Sequence, residues 1–215
     1  MLTVVLMVAG AAAVAVGWRL VRSGVASVWV TMGVASGVAG LASLATGDIE
    51  LSPRVEWTAA AGIGLGSGLL LYAATVAFVV VVRRWQVFDR HVAEIYDQRR
   101  GLPLVTALVV AAGVTAPGEE FFWRGLFQGR LQETLAPGLA ALLTWGGYVG
   151  VNAVSQSLAI LAGAMVSGAV WGALAAWSGG VLGSVVCHAA WTGLMVAWPP
   201  GRPSRRDRRS GRTRS

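Results

Sequence analysis

The chain has no lysine, one cysteine and two histidines in 215 residues. A lone Cys187 excludes an intrachain disulfide and a cysteine-based metal cluster. Two histidines, His91 and His188, exclude a site that needs three histidine ligands. Charge is scarce as well: 13% of residues are charged, where soluble domains carry about a quarter. What the chain has instead is apolar length. Hydrophobic residues make up 55%, and they come in runs of roughly 18 or more, enough to cross ~30 Å of hydrocarbon. The expected fold is therefore all-α, a polytopic transmembrane helical bundle of about seven spans, six to eight as the range. No internal repeat or second compact domain is visible.

The net charge of +7 sits almost entirely at one end. The stretch from Gly201 to Ser215 holds seven arginines and one aspartate. No folded nucleic-acid-reading module accompanies that charge, so nucleic acid is not an expected partner. A basic tail after a last span fits a cytoplasmic end beside anionic headgroups. All seventeen basic residues are arginine. With the excess of Ala, Gly and Val, that usage points to a bacterial genome of high G+C content and hence to a bacterial cytoplasmic membrane.

Met1 to Gly17 lacks a positive start before its apolar core, which favours a first span over a signal peptide. Further spans are expected at about Val25–Ala45, Thr58–Val82, Leu102 to the Pro-Gly-Glu-Glu stretch, Leu139–Val154, Leu158–Trp177 and Val181–Trp198. The third carries Gly62, Gly64, Gly66 and Gly68. The sixth carries Ala164, Gly168 and Gly172 at four-residue spacing, a close-packing face. The polar stretch RRWQVFDRHVAEIYDQRRG reads equally as a solvated loop or as an interfacial helix with Val87, Phe88, Val92 and Ile95 facing lipid. Seven spans put Arg19, Arg22, the 83–100 loop and the tail on one side, the cytoplasm, with the N-terminus outside. Three parts follow: 1–99, N-terminal helices and loop; 100–198, a helical core; 199–215, a basic tail expected to be disordered.

The chemistry concentrates in PGEEFFWRG, residues 117–125. Proline lacks a backbone N–H and suits the first turn of a helix. A helix is expected to restart or kink here, with Glu119 and Glu120 in a first turn whose dipole favours negative charge. Glu120 and Arg124 are i and i+4, placed to pair, and such a pair can be purely architectural. Glu119 is rotated about 100° away and is expected to stand unpaired beside Phe122 and Trp123. An ionisable group at mid-membrane costs at least ~2.5 kcal/mol, and a desolvated carboxylate can act as a general base on water. Downstream, Tyr148 and Asn152 share one helical face, and His188 and Thr192 share another.

EEFFWRG resembles the EExxxR signature of the CPBP intramembrane proteases, the group that includes the type II CAAX prenyl endopeptidases and the bacteriocin-immunity-like proteins. YVGVN, Tyr148 to Asn152, is similar to the family's FxxxH motif, and HAAWT, His188 to Thr192, to its HxxxN motif. The resemblance covers roughly residues 100–198. It implies an intramembrane metalloendopeptidase or glutamate-type protease acting on a membrane protein or peptide within the lipid bilayer. The implied site residues are Glu119, Glu120, Arg124, His188, Asn152 and Thr192. Glu119 would activate water with Glu120 and Arg124 in support, and His188 would polarise the scissile carbonyl. Glu119 and His188 would hold a metal if the cofactor is zinc, the other option being none. Two positions depart from the pattern. Asn152 stands where a histidine belongs and cannot take a proton; Thr192 stands where Asn or Asp belongs. An inactive relative that binds a membrane partner, as a scaffold or immunity protein, is the alternative. A proton-relay transporter ranks third, since repeats and a second acidic cluster are lacking.

Overall fold

The structure, a computed structural model, describes residues 2–51, 53–82, 84–98 and 101–200. Among these every regular element is a helix. Eight are numbered here: α1 (Leu2–Arg22), α2 (Val28–Ala45), α3 (Trp57–Val82), α4 (Gln86–Asp97), α5 (Leu104–Gln132), α6 (Pro137–Ala153), α7 (Leu158–Ser178) and α8 (Leu182–Ala197). Five of them, α1, α2, α3, α5 and α7, are long and apolar enough to cross a membrane. α8 is apolar but has only 16 residues, and α6 has 17. The expected all-α membrane bundle is therefore present. The basic tail at 201–215 lies outside the described residues, as do Arg83, Arg99 and Arg100 of the polar loop.

The outer helices expose large apolar side chains such as Leu2, Val8, Leu41, Leu70 and Val81. In hydrocarbon, that exposure costs nothing. What must be buried is polar, and helices meet there through small residues. α3 runs along α8, α1 along α2, α6 along α7, and α5 crosses α2, α6 and α8. Of the four glycines at the start of α3, only Gly64 and Gly68 make a crossing. A Cβ on Gly68 would lie 2.7 Å from the carbonyl oxygen of Cys187, and one on Gly64 would strike that of Gly183, whereas Gly62 and Gly66 face open space.

Two expectations are corrected. The helix does not restart at Pro117. α5 continues through it for 29 residues, flanked by π-helical turns at Val109–Thr115 and Phe121–Gln128. The wider turns include Gly113, whose carbonyl a proline four residues on would otherwise strike, and they absorb the missing N–H. Glu119 and Glu120 therefore sit in mid-helix, and no helix-end dipole holds them. The second correction concerns α4. It is a helix, but Phe88 is buried and Val92 and Ile95 line a partly open cavity within the bundle rather than facing lipid; of the four only Val87 is exposed. α4 is tied across one end of the bundle. The Leu158 N–H at the start of α7 donates to His91 Nδ1 at 3.1 Å, and the Val28 N–H at the start of α2 donates to Gln98 Oε1 at 3.1 Å.

Candidate active site

α5 places Glu119, Glu120, Arg124 and Gln128 inside the bundle, all of them buried. Glu120 and Arg124 form the expected i, i+4 pair, Nη1 to Oε1 at 3.1 Å, with both side chains fully enclosed. The remaining guanidinium contacts explain why arginine is there rather than lysine. Nη2 donates to the Gly168 carbonyl at 3.0 Å. The plane lies 4.8 Å from the ring centre of Tyr148 and 5.4 Å from that of Trp171. One turn further on, Gln128 repeats the pattern, its Nε2 donating to the Gly172 carbonyl at 3.1 Å. The small-residue face of α7 thus lets α5 come close and supplies carbonyl acceptors for its polar stripe.

Glu120 has a second partner. His188 Nδ1 is 2.8 Å from the same Oε1, and the imidazole stacks on Trp171 with ring centres 3.5 Å apart. One acidic side chain therefore orients both Arg124 and His188. Glu119 is not unpaired, as the sequence implied. The Tyr148 hydroxyl donates to its Oε2 at 3.0 Å, and Ser36 Oγ lies 3.4 Å from its Oε1. Ser36 arrives from α2 because α2 and α5 touch backbone to backbone at Gly40 and Gly118; a Cβ on Gly40 would lie 2.6 Å from the Gly118 Cα.

Glu119, Tyr148, Asn152, His188 and Thr192 all line one partly open cavity of about 460 Å³. The cavity reaches from Glu119, midway along α5, to α4 and Pro200 at one end of the bundle, and its other walls are apolar, Trp29, Met32, Leu71 and Phe78 among them. Arg124 and Gln128 border a separate polar pocket of about 260 Å³ beside Asp48, Glu50 and Arg54. Arg124 therefore stands between the two, with Glu120 enclosed behind it.

Four of the six predicted site residues, Glu119, Asn152, His188 and Thr192, line this cavity, and Glu120 and Arg124 pair behind it. Asn152 is the one whose side chain is already committed. Its Oδ1 accepts from Trp18 Nε1 at 3.0 Å and its Nδ2 donates to the Tyr148 carbonyl at 2.9 Å. Thr192 lines the same wall as His188. Sequence reasoning missed Ser36, Trp18 and Trp171, and it took Tyr148 only as a residue sharing a face with Asn152. Gln128 was legible as the next step of the 120, 124 stripe. Ser36 and Trp18 carry no local signal, because their role depends on how α1 and α2 meet α5 and α6.

The donor set does not fit a zinc site. Catalytic zinc usually takes three protein ligands. Among the described residues no three His, Cys, Asp or Glu side chains are grouped to hold a metal ion. His188, with Nδ1 on Glu120, could offer only Nε2, Glu119 is the one carboxylate beside it on the cavity wall, and the Asn152 amide is bonded at both ends, so the set falls one ligand short.

A helical membrane bundle that presents a buried carboxylate to an apolar cavity, beside a Glu-Arg-His cluster, defines the class of an intramembrane site. Residues 101–194 match the family model of the type II CAAX prenyl endopeptidase Rce1-like proteins. The match bears out the resemblance drawn from EExxxR: this segment is CAAX-protease-like. No curated protein and no solved structure matches the chain.

Proposed function

We propose that this protein is an intramembrane endopeptidase that hydrolyses a peptide bond in or near the membrane with water activated by Glu119. One observation carries the reading. Among the described residues Glu119 is the single acidic residue on the wall of the main cavity, and its carboxylate is held by two hydroxyls, whereas Glu120 is taken up by Arg124 and His188. A carboxylate without a bound cation is free to accept a proton.

The buried groups constrain the charge. Arg124 balances Glu120, and one further proton on either Glu119 or His188 keeps the cluster neutral, as a membrane interior favours. With that proton on His188, Glu119 is the base. It takes a proton from water as the water oxygen bonds to the scissile carbonyl carbon and the π pair moves onto the carbonyl oxygen. His188, its Nδ1–H held by Glu120, offers the other ring N–H to that oxyanion. On collapse the C=O re-forms, the C–N bond breaks, and the proton on Glu119 passes to the departing amine. Thr192 lies on the same wall as a further donor. The chemistry needs no metal. The apolar walls suit a membrane protein or peptide, the positive-inside rule favours a cytoplasmic α4 end and C-terminus, and the all-arginine basic composition favours a bacterial cell.

The test compares membrane-protein N-termini in cells carrying wild type or Glu119→Gln. Termini present with wild type and absent with Glu119→Gln are the expected result, with the variant still folded in detergent. Identical termini in the two strains overturn the reading. They would leave the second reading, a partner-binding or immunity protein without catalysis, which one observation favours: the Asn152 side chain is spent on Trp18 and on the Tyr148 carbonyl.

A further inference from the structure

Under the endopeptidase reading, Glu119 needs a fixed orientation, and the resembled motif would place its α6 partner at position 152. Both ends of the side chain at 152 are bonded elsewhere, Oδ1 with Trp18 and Nδ2 with a backbone carbonyl. One helical turn earlier stands a hydroxyl where the resembled pattern has a phenylalanine. That hydroxyl donates to Glu119 Oε2 at 3.0 Å. Its ring is clamped edge-on between Trp123, at 5.6 Å, and Trp171, at 6.1 Å, and Arg124 covers its face. A tyrosine held on three sides delivers its hydroxyl to one place, and supporting groups locked by their neighbours are what orient a reacting side chain. The backbone carbonyl of the same residue receives the Asn152 amide, so Asn152 and Trp18 brace the turn that carries Tyr148.

We infer that Tyr148 is the positioning residue for the Glu119 base, and that the α6 partner of the catalytic carboxylate has moved one helical turn, from 152 to 148. The hydroxyl fixes Oε2 and leaves Oε1, which has only the long Ser36 contact, turned to the attacking water. Asn152 acts at a distance, by holding the Tyr148 turn. The inference rests on the endopeptidase reading, and the two fail differently.

The experiment uses the full chain with Tyr148→Phe, which keeps the ring and its three contacts. Rates of appearance of Glu119-dependent N-termini are measured in cells. On the purified protein, infrared difference spectra against Glu119→Gln isolate the Glu119 carboxyl band. Loss of positioning is expected to slow cleavage roughly 10²-fold, with the melting temperature retained and the Glu119 band shifted; a role in packing alone would leave that band in place. Wild-type cleavage by Tyr148→Phe, or an unmoved band, overturns the inference while leaving Glu119-dependent cleavage intact. Absence of any Glu119-dependent cleavage removes both readings. Should Tyr148→Phe fail to fold, 3,5-difluorotyrosine at 148, with a more acidic hydroxyl in an almost unchanged shape, must shift the band; no shift overturns the inference.

Discussion

Arg124→Met tests the ion pair at the centre of the bundle. Both side chains of the Glu120–Arg124 pair are fully enclosed, so deleting the cation leaves a buried carboxylate whose remaining partner is His188. Breaking a buried pair from one side costs about 3–5 kcal/mol. Within that figure fall the lost donor to Gly168 and the lost contacts with Tyr148 and Trp171. For a chain of this length each kcal/mol moves the midpoint by about 2–4 °C, so the melting temperature should fall by roughly 6–20 °C. Cys187 makes the assay simple. It is the only cysteine and is completely buried, so a thiol-reactive fluorogenic maleimide reports unfolding in detergent. Glu120→Leu combined with Arg124→Met should recover at least half of the loss, because an apolar replacement of both partners removes the stranded charge. A melting temperature for Arg124→Met within 2 °C of wild type would refute the reasoning, since the pair would then hold nothing together.

Two further outcomes follow from the same contacts. Gly118→Ala should lower stability by about 1–3 kcal/mol through overpacking, because the new Cβ runs into the Ser36 carbonyl at the α2–α5 crossing; the same thiol melt reads it, and an unchanged midpoint would contradict that crossing. Trp18→Phe keeps an aromatic ring but removes the indole N–H and strands Asn152 Oδ1, which should cost at least about 1–3 kcal/mol; a Trp18→Phe protein as stable as wild type would show that Asn152 finds another donor.

The fold was legible because its signal is local and long. Apolar runs of span length give helices wherever they occur, and each of the seven runs became a helix, although the fourth extends past the Pro-Gly-Glu-Glu stretch to Gln132. The Glu120–Arg124 pair was equally legible, since i, i+4 spacing fixes a neighbour before any tertiary contact exists. Pro117 misled for a physical reason. Proline ends helices in water, yet in a membrane a freed carbonyl has nowhere better to go, and the chain widens into π turns rather than breaking. α4 misled because periodicity shows that a helix has an apolar face without showing what that face meets. Phe88, Val92 and Ile95 fit lipid and cavity wall equally well. Glu119 looked unpaired because both of its partners come from afar, Ser36 from α2 and Tyr148 from α6.

The matched segment, 101–194, supplies Glu119, Glu120, Arg124, Tyr148, Asn152 and His188, but it does not enclose them. Ser36 of α2 reaches Glu119, and Trp18 of α1 reaches Asn152. Leu71, Thr75 and Phe78 of α3 form a wall of the cavity. On α8, Trp191 stands beside His188 and donates its Nε1–H to Thr75 Oγ1 at 3.1 Å. Glu119 of α5, Asn152 of α6 and Trp191 of α8 are thus each met by a donor or acceptor from the first three helices. In hydrocarbon an unsatisfied polar group costs several kcal/mol. A cavity stripped of α1–α3 would therefore expose its carboxylate to lipid. The N-terminal helices have weak motifs for a physical reason: their task is to close an apolar wall and place three polar contacts, and many sequences can do that.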